Sequence, residues 1–320
     1  MTTQKRTAGN NPRLRRLLLS FAGAAVLAGG YYLLVRQLAY RMTYHFDTVI
    51  KTTPDTIGLR YSPVELDFKG RHVSGWYLPA ARADGPTVLY CHGNAGNISG
   101  ELRLCKARLL HDMGLGVLMF DYGGFGQSRG KASEAGLRAD ARAMYYRLAG
   151  MGIEPGRIIL YGESLGTAVA CALATEVNAA ALILESPFTS LADMGRATLP
   201  WLPAGPVLGD SYATLRRIAE IKMPLLIFHS REDEVVPFSQ ARRNYEAARE
   251  PKTFIELSGG HSDGFRSSGP VYTAGLKRFL LERLGFDAAA GRYVRARDPG
   301  VKIERTAGVK LNLKDLKNRG

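Results

Sequence analysis

The sequence predicts an α/β fold: a mostly parallel central sheet covered by helices on both faces, with a small cap, preceded by one transmembrane helix. Three observations predict it. Short, wholly apolar runs alternate with helical stretches through the middle of the chain, as strands buried on both faces do. A Gly-x-Ser-x-Gly pentapeptide sits between one such run and a helix. An uncharged segment long enough to cross a bilayer lies near the N-terminus.

Residues 17–35 are uncharged, bracketed by Arg15-Arg16 and Arg36. As a helix, these 19 residues extend about 28 Å, close to the hydrocarbon thickness of a bilayer. Tyr31 and Tyr32 near its end suit an aromatic belt. A cleaved signal peptide competes, with Ala22-Gly23-Ala24 and Ala28-Gly29-Gly30 as small-residue sites. The run exceeds a usual signal core, so an uncleaved anchor is expected. Lys5, Arg6, Arg13, Arg15 and Arg16 precede the span, against Arg36, Arg41 and Lys51 after it. That bias places the basic N-terminus, residues 1–16, in the cytoplasm and the main domain on the non-cytoplasmic side. Residues 36–59 read as a linker.

Residues 60–285 read as the enzyme domain. Residues 64–68 alternate with period two and 72–78 follow, a hairpin pattern. Strands are expected at 87–91, 116–121, 158–161, 180–184, 224–228 and 253–257, and helices near 101–112, 134–148, 167–176, 239–248 and 272–284. Residues 191–221 interrupt the alternation with Pro200, Pro203 and Pro206 around Trp201, and suit a small cap over a site. Residues 286–320 read as a basic tail with nine Lys or Arg from Gly291 on. The net charge of +14 thus gathers at the two ends, which argues against a nucleic-acid-binding fold and suits contact with anionic lipid. Cys91, Cys105 and Cys171 form no Cys-x-x-Cys and no zinc pattern, so no metal is expected. No cofactor motif appears either: Gly124-x-Gly126-x-x-x-Gly130 misses the dinucleotide spacing by one residue.

The Gly-x-Ser-x-Gly pattern occurs twice, around Ser164 and around Ser128. With 16 serines and 36 glycines in the chain, about 0.2 occurrences are expected by chance, so context decides. Ser164 directly follows an apolar strand and precedes a helix, the passage a nucleophile elbow needs; Ser128 lies in a glycine-rich loop. A serine hydroxyl needs a base. Of six histidines, His261 follows a strand in the loop Ser258-Gly259-Gly260-His261, on the side where catalytic groups gather in a parallel sheet. The acid comes after strand 224–228, where Asp233 is preferred because Val235, Val236 and Pro237 anchor its turn. Glu232 and Glu234 are expected in solvent or paired with Arg231. The oxyanion calls for backbone donors: the N–H of Leu165, next to the nucleophile, and that of Asn94 in the loop His92-Gly93-Asn94-Ala95-Gly96-Asn97. His92 reads as a residue that shapes this loop.

Residues His92–Asn97, Asp121-Tyr122-Gly123-Gly124-Phe125-Gly126-Gln127-Ser128, Gly162–Gly166, Asp233 with Val236-Pro237, and Gly260-His261 stand in the order and approximate spacing of the α/β-hydrolase superfamily, which the chain resembles over about residues 60–285. With its N-terminal span, it is similar to the membrane-anchored serine hydrolases related to the yeast bud-emergence protein, with protein depalmitoylases as more distant relatives. The resemblance implies a Ser-Asp-His hydrolase of carboxylic esters or thioesters, its substrate an acyl ester, a lipid or a lipidated protein. A serine peptidase of the same fold and a non-catalytic membrane scaffold are the alternatives. One departure stands out. The family often has arginine where this chain has Gly123, so another group must brace that loop.

Overall fold

A computed structural model describes residues 12–294. The chain opens with α1 (Pro12–Thr43) and a two-residue strand β1 (His45–Phe46). The sheet begins with β2 (Ser62–Phe68), β3 (Arg71–Leu78) and β4 (Thr87–Cys91). Then come β5 (Ala95–Gly96), α2 (Glu101–Asp112), β6 (Gly116–Phe120), α3 (Glu134–Gly150) and β7 (Ile158–Glu163). They are followed by α4 (Leu165–Ala174), β8 (Ala181–Glu185), α5 (Leu191–Thr198), α6 (Gly205–Leu208), α7 (Thr214–Ile218) and β9 (Leu225–Ser230). The described chain closes with α8 (Phe238–Ala247), β10 (Lys252–Leu257), α9 (Gly264–Ser267), α10 (Gly269–Leu284), β11 (Phe286–Asp287) and β12 (Arg292–Tyr293).

Eight strands form one sheet in the order β10-β9-β8-β7-β4-β6-β3-β2. The six from β10 to β6 are mutually parallel; β3 runs antiparallel to both β6 and β2. Strand periodicity divides the core between the two faces. In β4, Leu89 and Cys91 pack in one layer while Val88 and Tyr90 pack in the other. In β8, Leu182 and Leu184 pair with the first layer, Ala181 and Ile183 with the second. All these side chains are almost fully buried, each stabilising the fold by about 1.5–3 kcal/mol where the side chain is large and aliphatic. The layout explains why the strands read as unbroken apolar runs: neither face meets water.

Three boundaries move from those the sequence implies. The N-terminal helix does not end with the uncharged span at residue 35 but continues to Thr43. Arg36 and Arg41 lie on its exposed side, so these charges end the apolar pattern without ending the helix. Residues 36–59 are consequently not a free linker. Beyond the helix, β1 pairs with β5 (His45 with Ala95, Phe46 with Gly96), and Asn97 Nδ2 donates to Asp47 O and Val49 O. At the other end, the domain runs past residue 285, since β11 pairs with β12 and Phe286 is fully buried. The basic residues from 295 on, like residues 1–11, lie outside the described residues. Smaller shifts have local causes. Strand β7 extends to Glu163 because Gly162 and Glu163 still pair with Leu184 and Glu185, and α4 begins directly after Ser164.

Within residues 191–221, α5 packs on α6, α7 packs between α4 and α8, and α1 touches α6. Tyr31 OH donates to Pro203 O (2.7 Å), and Tyr44 OH is hydrogen-bonded to Tyr212 OH (2.6 Å).

Candidate active site

Ser164 sits at the sharp junction of β7 and α4 with φ +50° and ψ −118°, a backbone state that side-chain-bearing residues rarely adopt. Its N–H donates to Glu185 O (2.9 Å), which pins the turn to the end of β8. The flanking glycines are required by crowding. A Cβ on Gly162 would run into Gly166 O, and one on Gly166 would run into Cys91 O at the end of β4. The strand, turn and helix therefore close on each other with only the serine projecting.

Ser164, His261 and Asp233 meet. His261 Nε2 lies 2.8 Å from Ser164 Oγ, and its Nδ1 lies 2.8 and 3.0 Å from the two Asp233 carboxylate oxygens. An ionised carboxylate only accepts, so Nδ1 carries the proton and donates, leaving the Nε2 lone pair for the serine hydroxyl. Asp233 has no exposed side-chain surface. Its Oδ1 also accepts from Val235 N (2.9 Å) and Val236 N (2.8 Å), as the turn before Pro237 requires. Burial pushes the Asp233 carboxyl up, but its hydrogen bond to His261 and the charge on that ring outweigh this and hold it below the usual carboxylate range. For His261, burial pushes the imidazole down, while Asp233, Glu163 and Glu234 together raise it above the ordinary histidine value. His229, four residues before Asp233, plays another part. Burial lowers its pKa, and the neutral ring donates from Nε2 to Val236 O (3.0 Å).

Of the two expectations for the neighbouring carboxylates, exposure to solvent holds for both Glu232 and Glu234, and pairing with Arg231 does not. Arg231 pairs with Glu256 (2.8 Å), not with Glu232 or Glu234. Those two remain exposed and cap the histidine loop from outside, where Glu232 accepts from Gly259 N (2.8 Å) and Glu234 from His261 N (3.0 Å). Free loop amides are better partners for them than an arginine already held in a fork by Glu256 on β10.

The loop after β4 approaches the serine closely. A Cβ on Gly93 would stand 3.4 Å from Ser164 Cβ. His92 is buried against the rings of Tyr122 and Phe125, is kept neutral by burial, and donates from Nδ1 to Gly93 O (2.7 Å), so it shapes the loop. Asn94 O accepts from His45 N (3.0 Å), which ties the loop to the end of α1. As the first residue of α4, Leu165 has an N–H with no intrahelical acceptor. Asn94, Ser164, Leu165 and His261 line one cavity of about 450 Å³, within the range of ligand pockets. Its other walls are mostly apolar, with Thr43, His45, Thr198 and Ser262 as polar exceptions. Phe188, Leu191, Met194, Leu199 and Leu202 come from the cap side, and Val35, Leu38, Ala39 and Met42 from α1.

Sequence reading missed two groups here. The first is the α1 wall. Its signal was the recurrence of apolar or small residues at 31, 35, 38, 39, 42 and 43, a helical face continuing past Arg36. The second is a buried polar cluster behind the serine. Lys106 pairs with Glu185 (2.5 Å), lies 3.8 Å from Glu163 and sits over the Phe265 ring. Tyr161 and Tyr272 hydrogen-bond Glu185, and Tyr90 hydrogen-bonds Glu163. A lysine and two glutamates scattered over 80 residues carry no sequence pattern. The missing arginine at position 123 is also accounted for. Arg71 on β3 holds Asp140 in a two-pronged pair (2.6 and 2.7 Å), Asp140 accepts from Gly123 N (2.9 Å), and a Cβ at Gly123 would clash with the Arg71 guanidinium. The brace comes from another strand, and glycine makes room for it.

A family model for the α/β-hydrolase fold matches residues 86–218. An uncharacterized Mycobacterium tuberculosis protein is 44% identical over 216 residues, covering 67% of this chain and 76% of that protein. The α/β-hydrolase domain-containing protein WAV2 of Arabidopsis thaliana is 36% identical over 253 residues, covering 71% and 81%. The lysophosphatidylserine lipase ABHD12 of Rattus norvegicus is 34% identical over 234 residues, covering 66% of this chain and 58% of that protein. Among solved structures, an esterase of Pyrococcus furiosus superposes with a TM-score of 0.62 at 22% identity, covering 76% of this chain and 99% of the esterase. With this identity to relatives across most of their length and an eight-stranded sheet of matching fold, the chain belongs to the α/β-hydrolase family.

Proposed function

We propose that the protein is a membrane-anchored serine hydrolase that cleaves carboxylic esters or thioesters through an acyl-enzyme on Ser164. The observation that carries this reading is the hydrogen-bonded chain Ser164–His261–Asp233 opening into an apolar cavity. Ser164 Oγ attacks the acyl carbon while its proton passes to His261 Nε2, and the carbonyl electron pair moves onto oxygen. The N–H groups of Leu165 and Asn94 receive that oxyanion; loss of one such donor typically costs about 10²–10³ in kcat. Collapse breaks the bond to the alcohol or thiol, which takes the proton from Nε2 as it leaves. Water then attacks the acyl-enzyme by the same route, and Asp233 keeps the imidazole in its productive tautomer throughout.

The apolar walls suit an acyl chain, and the lipase name of the rat relative favours an ester substrate over a peptide. The anchor is α1, whose residues 12–30 are exposed on every side, an arrangement that hydrocarbon satisfies and water does not. With the charge bias around it, the catalytic domain stands on the non-cytoplasmic side of the membrane. The likeness to the anchored hydrolases around the yeast bud-emergence protein belongs to the same reading. The test is a panel of p-nitrophenyl esters of rising chain length, run beside peptide amides on the full-length protein in detergent. The reading expects ester cleavage that improves with chain length. Amide cleavage without ester cleavage would replace it with the peptidase.

A further inference from the structure

The two ends of α1 meet different surroundings. Residues 12–30 are exposed, whereas Tyr31, Val35, Leu38, Ala39 and Thr43 turn one face to the protein, with Val35 only 2% exposed. The uncharged part of the exposed stretch, residues 17–30, extends about 21 Å as a helix, some way short of the roughly 30 Å of a bilayer's hydrocarbon core. The deficit is made up by Tyr31 to Val35, the next uncharged residues before Arg36. Those residues already hold the cap. Tyr31 OH donates to Pro203 O at 2.7 Å, and α1 packs on α6. A membrane that covers the uncharged span therefore reaches the cap.

At that level the cap presents Trp201, 74% exposed, between the exposed prolines Pro200 and Pro203. Tryptophan is the side chain that membrane boundaries favour, and an exposed tryptophan has no other partner among the described residues to explain it. One turn on, Arg36 is exposed and donates from Nη1 to Tyr32 OH (2.9 Å), which suits the headgroup layer. The cavity above Ser164 is walled on one side by α1 and on another by the cap.

We infer that the cap tip, with Trp201, is embedded in the headgroup–acyl boundary of the leaflet on the catalytic-domain side, and that the cavity fills from this leaflet along α1. The substrate is an amphiphilic ester whose chain passes between α1 and the cap without crossing water. This inference rests on the reading of α1 as an anchor.

The test uses full-length protein in phosphatidylcholine vesicles whose acyl chains carry bromine either near the headgroup or near the bilayer centre. Wild type is compared with Trp201→Phe, so that the difference in fluorescence belongs to Trp201 and the buried Trp76 cancels. The expected result is quenching of Trp201 by about twofold with shallow bromine and less with deep bromine. Unquenched Trp201 in protein that still sediments with carbonate-washed vesicles overturns the inference and leaves the anchor standing. Release of the protein by the wash overturns both. As a second measurement, Trp201→Glu should cleave a long-chain ester held in vesicles about tenfold more slowly than wild type, relative to a short water-soluble ester. Equal ratios would contradict filling from the leaflet.

Discussion

The pattern Gly-x-Ser-x-Gly occurs twice in this chain, and its two serines live in opposite conditions. Ser164 projects from a strained turn at φ +50°, and its hydroxyl reaches His261 at the floor of a cavity. Ser128 is buried in the loop after β6. There its hydroxyl donates to Asp121 O (2.7 Å) and accepts from Ser74 N (2.9 Å), with both capacities spent on the backbone. The glycines differ in the same way. Around Ser164 they let β7, α4 and β4 approach each other; around Ser128, Gly126 makes room for the Asp121 carboxylate and Gly130 for the Arg71 guanidinium. A pentapeptide alone does not activate a serine. A neighbouring base does, together with a turn that keeps the hydroxyl out of the backbone's own hydrogen bonding.

Substitution separates the two serines. If Ser164 is the nucleophile, as proposed, Ser164→Ala should lower kcat on a p-nitrophenyl ester by about 10⁵–10⁶. Asp233→Asn should cost about 10⁴ in kcat, because an amide at this position favours the wrong imidazole tautomer. If Glu232→Gln or Glu234→Gln costs more, the acid has been misassigned. Circular dichroism should show each variant folded.

A pH profile sharpens the assignment of the base. In the proposed mechanism His261 acts only when neutral, and its pKa is raised, so kcat/KM should be full above that pKa and fall about tenfold per pH unit below it. The midpoint should lie above 6.5, the ordinary histidine value. Where Asp233→Asn leaves measurable activity, the midpoint should move down, since the carboxylate that raises it is gone. An unmoved midpoint would mean that another group controls the profile.

The smallest effect is expected at the other serine. Ser128→Ala leaves Ser74 N–H buried without its acceptor and should cost about 1–3 kcal/mol in stability, with kcat within about twofold of wild type. Urea melts and steady-state rates would separate the two. A large loss of kcat at unchanged stability would make Ser128 more than a loop residue.

Much of this was legible in the sequence because it rests on local pattern. Strands buried on both faces must be apolar throughout, so β4, β6, β7, β8 and β9 announce themselves, while the half-buried edge strand β10 shows apolar residues mixed with polar ones. Ser164, His261 and Asp233 each follow a strand, and a parallel sheet brings strand ends to one edge, so their meeting follows from order along the chain. What the sequence hid depends on contacts without a local signature. Arg71 substitutes for a bracing arginine at position 123 from 52 residues away, through Asp140. Glu232 and Glu234 stay exposed, but nothing local announces their hydrogen bonds to Gly259 N and His261 N across 27 residues. The last three turns of α1 carry charges on one side and line the cavity on the other, so hydropathy ended the helix too early.

Labelling with a fluorophosphonate probe, followed by mass spectrometry of the modified peptide, reads directly which serine is the nucleophile. The account predicts a single adduct on Ser164, lost in Ser164→Ala and in His261→Ala and retained in Ser128→Ala. An adduct on Ser128, or labelling that survives Ser164→Ala, would contradict it.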